Sequence, residues 1–380
     1  MTDREIMKNV LKLAEKGTGF VSPNPLVGSI IVKNGRIIGE GYHKYYGGKH
    51  AETNAIESAL EPVEGAALYC NLEPCSHTGK GKHQPPCTSR IIQEKIAKVV
   101  IANIDPNPKV SGRGVKKLRD AGIQVVTGVE AEAGAYLNRR FFTSMSTGRP
   151  FVCLKVAQSI DGRIASSTGK SKWITGQAAR QEVHKMRASY DAVLVGIGTV
   201  TADNPMLTVR DYTGPSPLRV ILDSSLSIPE DAQVLWPENS ENTLIITTNK
   251  ASLQKAERIS MAGARVIYAD SGEDGKVDLS HALSLLGDEK ITSVLVEGGS
   301  RVFTSYVKQN LFDQLDVFIS GKLMGTGLSW LGDLGTEHPG EAVTLQDLNI
   351  TQFEKDIRIS GLREKLGTFD SIQEEACLPG

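Results

Sequence analysis

The sequence predicts an α/β protein built of two domains, and three observations carry that prediction. At 380 residues the chain exceeds what one hydrophobic core usually organises. Short β-rich runs alternate with helical patterns along both halves, as layered α/β sheets require. Gly148-Arg149-Pro150 then punctuates the alternation just before a new apolar run opens at Phe151.

The elements follow in order. Ile6, Val10, Leu11, Leu13 and Ala14 recur at helical spacing, so residues 6–14 form one amphipathic helix. Residues 27–33 and 36–42 read as strands, joined by Asn34-Gly35, the strongest short-range hairpin signal. Helices are expected over 51–60, from 88, and near 114–121, with strands at 66–71, 99–104 and 123–127. The first domain is placed at 1–146 and the second at 150–369. The second resumes the alternation, with strands at 151–156, 192–195, 218–222, 243–247, 265–268, 293–296 and 315–319. Residues 370–380 are acidic and aperiodic, and a disordered tail is expected there.

Composition narrows the function. The apolar fraction of 40% and charged fraction of 23% are ordinary for globular proteins. A formal charge of −1 offers a polyanion no overall attraction, which argues against nucleic acid as a partner and leaves room for a small phosphorylated ligand. No apolar run reaches the roughly 18 to 20 residues of a membrane span, and the N-terminus lacks signal-peptide order, so a cytoplasmic protein is expected. The five cysteines, Cys70, Cys75, Cys87, Cys153 and Cys377, favour metal binding over a disulfide framework.

His50-Ala51-Glu52 opens a helix, Pro74-Cys75 follows a strand, and Pro85-Pro86-Cys87 opens the next helix. His50, Cys75 and Cys87 supply the three protein ligands of a hydrolytic zinc site, whose fourth position goes to water with a pKa lowered to about 7. Glu52, two residues after the histidine, is the proton-carrying carboxylate of the His-x-Glu and Pro-Cys deaminase signature. Singly, each of these residues reads better as a packed core side chain. A closed structural zinc site would need a fourth ligand, and His77 or His83 could supply one. Cys70, among apolar neighbours, reads as a buried strand residue.

In the second half, the β-rich run 291–296 ends in Glu297-Gly298-Gly299-Ser300 before a helical stretch at 301–308. Strand, glycines and helix form a phosphate cradle, in which backbone N–H groups and the positive helix end meet a pyrophosphate. Alone, the pattern reads better as a plain tight turn.

Four segments of the first half, Ser22-Pro23-Asn24-Pro25-Leu26-Val27-Gly28, His50-Ala51-Glu52, Glu73-Pro74-Cys75-Ser76-His77-Thr78-Gly79-Lys80 and Asp105-Pro106-Asn107-Pro108, resemble the bifunctional riboflavin-biosynthesis deaminase/reductases. The second half resembles the same family at Lys155 to Arg163, Ser171 to Thr175, Gly196 to Pro205 and Leu207 to Arg210. The resemblance implies a cytidine-deaminase-like three-layer domain followed by a dihydrofolate-reductase-like domain. It implies zinc-dependent deamination of a diamino-ribosylaminopyrimidinone 5′-phosphate, with Glu52 moving protons, and then NADPH reduction of the ribose carbonyl to a ribityl chain.

It also places Asn24, His77, Lys80, Asp105 and Asn107 around the deaminase substrate. Ala157, Trp173, Thr199, Asp203 and the segment Gly299, Ser300, Arg301, Val302, Phe303, Thr304 and Ser305 fall to NADPH. Ser171, Arg187, Leu207, Arg210 and Glu297 fall to the reductase substrate. Arg187 and Arg210 carry guanidinium forks that match a sugar phosphate. Either Lys155 or Asp203 delivers the proton that accompanies hydride transfer, and Trp173 by itself reads as a core aromatic. The chain departs from the family between Lys80 and Pro85, where Gly81-Lys82-His83-Gln84 makes the loop three residues longer; zinc ligation is expected to survive.

The rival function is a nucleic-acid or nucleoside deaminase fused to a nucleotide-binding domain. Such enzymes pair His-x-Glu with Cys-x-x-Cys and need a basic surface, and this chain has neither. A zinc module on a non-enzymatic sensor leaves Glu52 without a purpose. A homodimer through the reductase sheet is expected.

Overall fold

The computed structural model describes residues 1–77, 85–107 and 111–366. Lys80, His83, the extended 79–84 loop and the 370–380 segment lie outside the described residues. The chain forms two compact units, Met1–Thr147 and Gly148–Lys365.

In the first unit the order is α1 (Asp3–Ala14), β1 (Gly28–Lys33), β2 (Arg36–Tyr42), α2 (Ala51–Glu57), β3 (Ala67–Leu72), α3 (Cys87–Gln93), β4 (Lys98–Asn103), α4 (Arg113–Asp120), β5 (Gln124–Val126), α5 (Ala131–Leu137) and α6 (Arg139–Thr147). The five strands form one sheet in the order β2-β1-β3-β4-β5. β1 pairs antiparallel with β2 and β3, while β3, β4 and β5 run parallel. Asn34 and Gly35 both take positive φ, as the expected two-residue hairpin turn demands. One sheet face buries Ile31, Leu68, Val99 and Ile101; the other buries Ile30, Tyr69 and Val100 beneath Ile6, Met7 and Val10 of α1. Alternate residues of each strand therefore feed two apolar layers between sheet and helices.

Two glycines decide where α2 lies. A Cβ at Gly39 would come 2.3 Å from the Ala55 carbonyl oxygen, and one at Gly41 would meet Ala55 N at 2.3 Å and Ala51 O at 2.5 Å. Hydrogen alone fits, so the helix rests directly on the backbone of β2. Its N-cap is His50.

The second unit continues with β6 (Phe151–Ser159), β7 (Arg163–Ser166), α7 (Gln177–Ser189), β8 (Ala192–Gly196), α8 (Ile197–Asp203), β9 (Leu218–Leu222), α9 (Pro237–Ser240), β10 (Thr243–Thr247), α10 (Leu253–Met261), β11 (Arg265–Tyr268), α11 (Leu279–Asp288), β12 (Ser293–Gly298), α12 (Ser300–Lys308), β13 (Gln314–Ser320), β14 (Gly327–Ser329), β15 (Gln346–Phe353) and β16 (Asp356–Leu362). Nine strands form a sheet in the order β11-β10-β9-β8-β12-β6-β13-β16-β15. The strands from β11 to β13 are parallel; β16 and β15 extend that sheet antiparallel. β8, β12 and β6 lie side by side in the parallel part, so their carboxyl ends open on one edge where ligands of such sheets bind. The expected strands are present, whereas α5, α6, β7, β14 and the β15–β16 hairpin were not expected.

Candidate active sites

In the first unit, the N-terminus of α2, the carboxyl ends of β3 and β4, and the start of α3 converge on a cleft of about 360 Å³. Asn24, His43, His50, Glu52, Glu73, Cys75, His77, Asp105 and Asn107 line it, with Tyr46 and Phe141 as aromatic wall. His50 caps α2, Cys87 opens α3, and Cys75 stands in the loop beyond β3.

Their ligand atoms lie within 4.8 Å of one another, and they are the metal-ligating cluster found among the described residues. Cys75 Sγ is 3.6 Å and Cys87 Sγ 3.3 Å from His50 Nδ1. Tetrahedral zinc with ordinary Zn–N and Zn–S bonds separates such atoms by about 3.6 Å, so the donor set fits that ion in both chemistry and spacing. His77 is absent from the cluster, so it does not make the site a closed one among the described residues.

Cys75 is held below the ordinary thiol range, first by hydrogen bonding from Cys87 and also by His50, against the effect of burial. Cys87 is pushed up, first by that same bond and then by burial. The Cys87 main-chain N–H also donates to Cys75 Sγ at 3.3 Å, a contact that favours the thiolate. Glu52, in the first turn of α2 and only 4% exposed, has its carboxyl pushed up by burial, with His50 opposing. A carboxyl so raised can hold a proton nearer neutrality, as acid–base catalysis requires.

The structure adds two residues to which the sequence reading gave no role. His43 is buried, and its Nδ1 sits 3.0 Å from the Lys49 carbonyl oxygen, which can only accept; Nδ1 therefore carries the proton. Its Nε2, 3.1 Å from Asn24 Nδ2, then accepts from the amide and fixes how Asn24 faces the cleft. Burial pushes the His43 pKa down, in keeping with a neutral ring. Glu73, also 4% exposed, accepts four main-chain N–H bonds and pins the loop that bears Asp105 and Asn107. Its signal was its place beside Pro74-Cys75; that of His43 was absent, because a lone histidine after a strand fits no motif.

The second unit gathers its polar residues around Glu297. Arg187 Nε and Nη2 donate to its two carboxylate oxygens, the latter at 2.9 Å, and Lys155 Nζ lies 3.0 Å from Oε2. Burial pushes the Glu297 carboxyl up, but Arg187 and then Lys155 outweigh it and hold the group well below the ordinary carboxylate range. Arg187 Nη1 donates to the Thr208 carbonyl oxygen at 3.0 Å. This corrects the picture of Arg187 as a bidentate phosphate clamp, because its fork is already engaged by Glu297.

Ser171 donates to Asp203 Oδ1 at 2.8 Å on the exposed side of the site. Gly298 and Gly299 turn the chain from β12 into α12: a Cβ at Gly298 would fall 2.8 Å from Thr199 Oγ1, so hydrogen alone lets Thr199 pack there, and Gly299 takes φ +91°.

Other residues are placed differently from their expectation. Trp173 is 66% exposed with φ +67°, stacked 4.4 Å under the Arg180 guanidinium, and so is not a core aromatic. Leu207 and Phe303 are buried in core clusters, which leaves their backbone as the means of meeting a ligand. Arg210 lies on the exposed side, its Nη1 3.4 Å from Met206 Sδ.

Comparisons with known proteins agree with this arrangement. The family model for the cytidine and deoxycytidylate deaminase zinc-binding region matches residues 1–103, and that for the RibD C-terminal domain matches residues 150–359. The riboflavin biosynthesis protein RibD of Aquifex aeolicus is 43% identical over 94% of this chain and 97% of its own length. That of Bacillus amyloliquefaciens is 41% identical over 94% and 95%. Among solved structures, the deaminase/reductase of Thermotoga maritima superposes with a TM-score of 0.82 at 39% identity, covering 94% of this chain and 97% of that one. Acinetobacter baumannii RibD gives 0.85 at 36%, covering 95% and 98%. With a zinc-type deaminase unit and a reductase unit on one polypeptide, the chain belongs to the RibD family of bifunctional deaminase/reductases of riboflavin biosynthesis.

Proposed function

We propose that residues 1–146 deaminate 2,5-diamino-6-ribosylamino-4(3H)-pyrimidinone 5′-phosphate and that residues 150–369 reduce the ribosyl group of the product to ribityl. The observation that carries the first step is the His50, Cys75 and Cys87 donor set beside buried Glu52. His50, Cys75 and Cys87 would hold zinc, which when bound would supply Lewis acidity and lower the pKa of water at the site. Glu52 takes one proton from the attacking water and gives it to the pyrimidine ring nitrogen, then takes the second from the hydroxyl so added and gives it to the departing amine, which leaves as ammonia. Asn24, oriented by His43, together with Asp105, Asn107, His77 and Lys80, holds the substrate in place.

In the second step NADPH supplies a hydride, and Ala157, Trp173, Thr199, Asp203 and the 299–305 segment hold the cofactor. When bound, it would deliver that hydride to C1′ of the ring-opened sugar, saturating the C=N bond to the pyrimidine amine, with a proton taken up at nitrogen. Lys155 is the better placed proton donor, being buried against Glu297, whereas Asp203 is exposed and bonded to Ser171. Arg187 holds Glu297, and Ser171, Leu207, Arg210 and Glu297 face the substrate.

We further propose a cytoplasmic homodimer. No helix among the described residues is long and apolar enough to cross a membrane. Edge strand β15 exposes Leu348 and Ile350, an apolar strip suited to a second copy.

Incubating the zinc-loaded protein with the diaminopyrimidinone phosphate and resolving products by mass tests the whole scheme. Amino-to-oxo exchange is expected without NADPH, and two added hydrogens only with it. Unchanged substrate would overturn the reading.

A further inference from the structure

Between the end of β3 and the ligand Cys75, Glu73 points a buried carboxylate at main chain. Oε2 accepts from the N–H of Asp105 at 3.3 Å and of Gly112 at 2.9 Å, the two ends of one loop. Oε1 accepts from Gly114 at 2.7 Å and Val115 at 3.1 Å, in the first turn of α4. Four hydrogen bonds onto one buried side chain tie the main chain at Asp105, Gly112, Gly114 and Val115 to the end of β3. The packing leaves no slack either: a Cβ at Gly114 would lie 2.3 Å from the Pro74 carbonyl oxygen. Within the loop, Asp105 Oδ1 accepts from Asn107 N–H at 2.8 Å, so the position of one residue carries the other.

We infer that Glu73 is a positioning residue for the deaminase: it clamps the Asp105 and Asn107 loop against the strand end that bears Cys75, and thereby sets how far the substrate-holding groups stand from Glu52. The inference rests on the substrate role proposed above for Asp105 and Asn107. A glutamine has the same shape but only one accepting oxygen, so its amide nitrogen would face two N–H donors and the loop would have to move.

The test uses full-length, zinc-loaded Glu73→Gln beside Asp105→Ala, with deamination kinetics, zinc content and reduction rate measured for each. For Glu73→Gln, KM for the diaminopyrimidinone phosphate should rise about tenfold while kcat stays within about threefold, the split expected when binding geometry alone is lost. Zinc per chain and reduction should match the parent, which separates positioning from failure of the fold. Asp105→Ala should raise KM as well. An unchanged KM in Glu73→Gln beside a raised one in Asp105→Ala overturns the inference and leaves the substrate reading standing. An unchanged KM in Asp105→Ala overturns both. Loss of zinc, or of kcat in place of KM, would make Glu73 part of the metal site and also overturns the inference. If Glu73→Gln does not accumulate folded, Glu73→Asp, one methylene shorter, is read by the same split.

Discussion

Glu52 in the first unit and Glu297 in the second are both buried glutamates at the heart of a site, yet their surroundings drive them in opposite directions. Around Glu52 burial dominates and the carboxyl is pushed up. Around Glu297 the Arg187 and Lys155 cations outweigh the same penalty and the carboxyl stays ionised. Desolvation is common to both, so the neighbouring charge decides whether a buried carboxylate carries protons or anchors cations. The first arrangement suits a shuttle. The second suits a fixed counter-ion that holds a lysine in position.

The comparison can be broken most sharply at Glu52. Glu52→Gln should lower deamination by on the order of 10² to 10⁴, the usual worth of a positioned acid–base group, with zinc content and reduction unchanged. Parallel rate and metal assays check it, and full deaminase activity would remove Glu52 from the chemistry. Next in size, Glu297→Gln leaves Arg187 and Lys155 buried without their anion. Breaking a buried pair in this way costs about 3–5 kcal/mol, so thermal unfolding of the second unit should begin markedly earlier. A melting curve indistinguishable from the parent would contradict the anchoring role.

Lys155→Met should then cut reduction by about 10²-fold and Asp203→Asn by much less, if Lys155 is the proton donor. Equal losses would move that role to Asp203. The smallest effect is one of pH. Because the folded Glu297 carboxyl is depressed, its stabilisation is complete above the ordinary carboxylate range, near pH 4 to 5, and drains away as pH falls below it. Melting temperature of the parent should therefore decline more steeply below about pH 4.5 than that of Glu297→Gln. Acid profiles of equal slope would contradict this linkage.

The two units also differ in how openly the sequence announces them. Zinc requires particular donor types, and the fold delivers them from helix starts and a strand end only 25 and 37 positions beyond His50, so His50, Cys75, Cys87 and Glu52 were legible as a set. The Arg187–Glu297 pair spans 110 positions, and a guanidinium that clamps a carboxylate has the same spelling as one that clamps a phosphate. Glu73 was visible within its motif, but bonds to main-chain N–H groups leave no partner side chain to be read. The β15–β16 hairpin was legible and went unread: Leu348 and Ile350 alternate with Asp347, Asn349 and Thr351, and Ile357 and Ile359 flank Arg358, the period-2 pattern of strands. α5 and α6 follow each other with only Asn138 between them, too close for a turn signal to separate.

The bare contact of α2 on β2 has a further consequence. Since Gly39 and Gly41 leave room for nothing larger than hydrogen, any side chain introduced there acts as a wedge beneath the whole helix. His50 and Glu52 ride on that helix together, so such a wedge would displace metal ligand and proton carrier in one motion. Metal affinity and catalytic rate are thus mechanically geared, and an engineer seeking to tune one without the other must work from Cys75 or Cys87 instead.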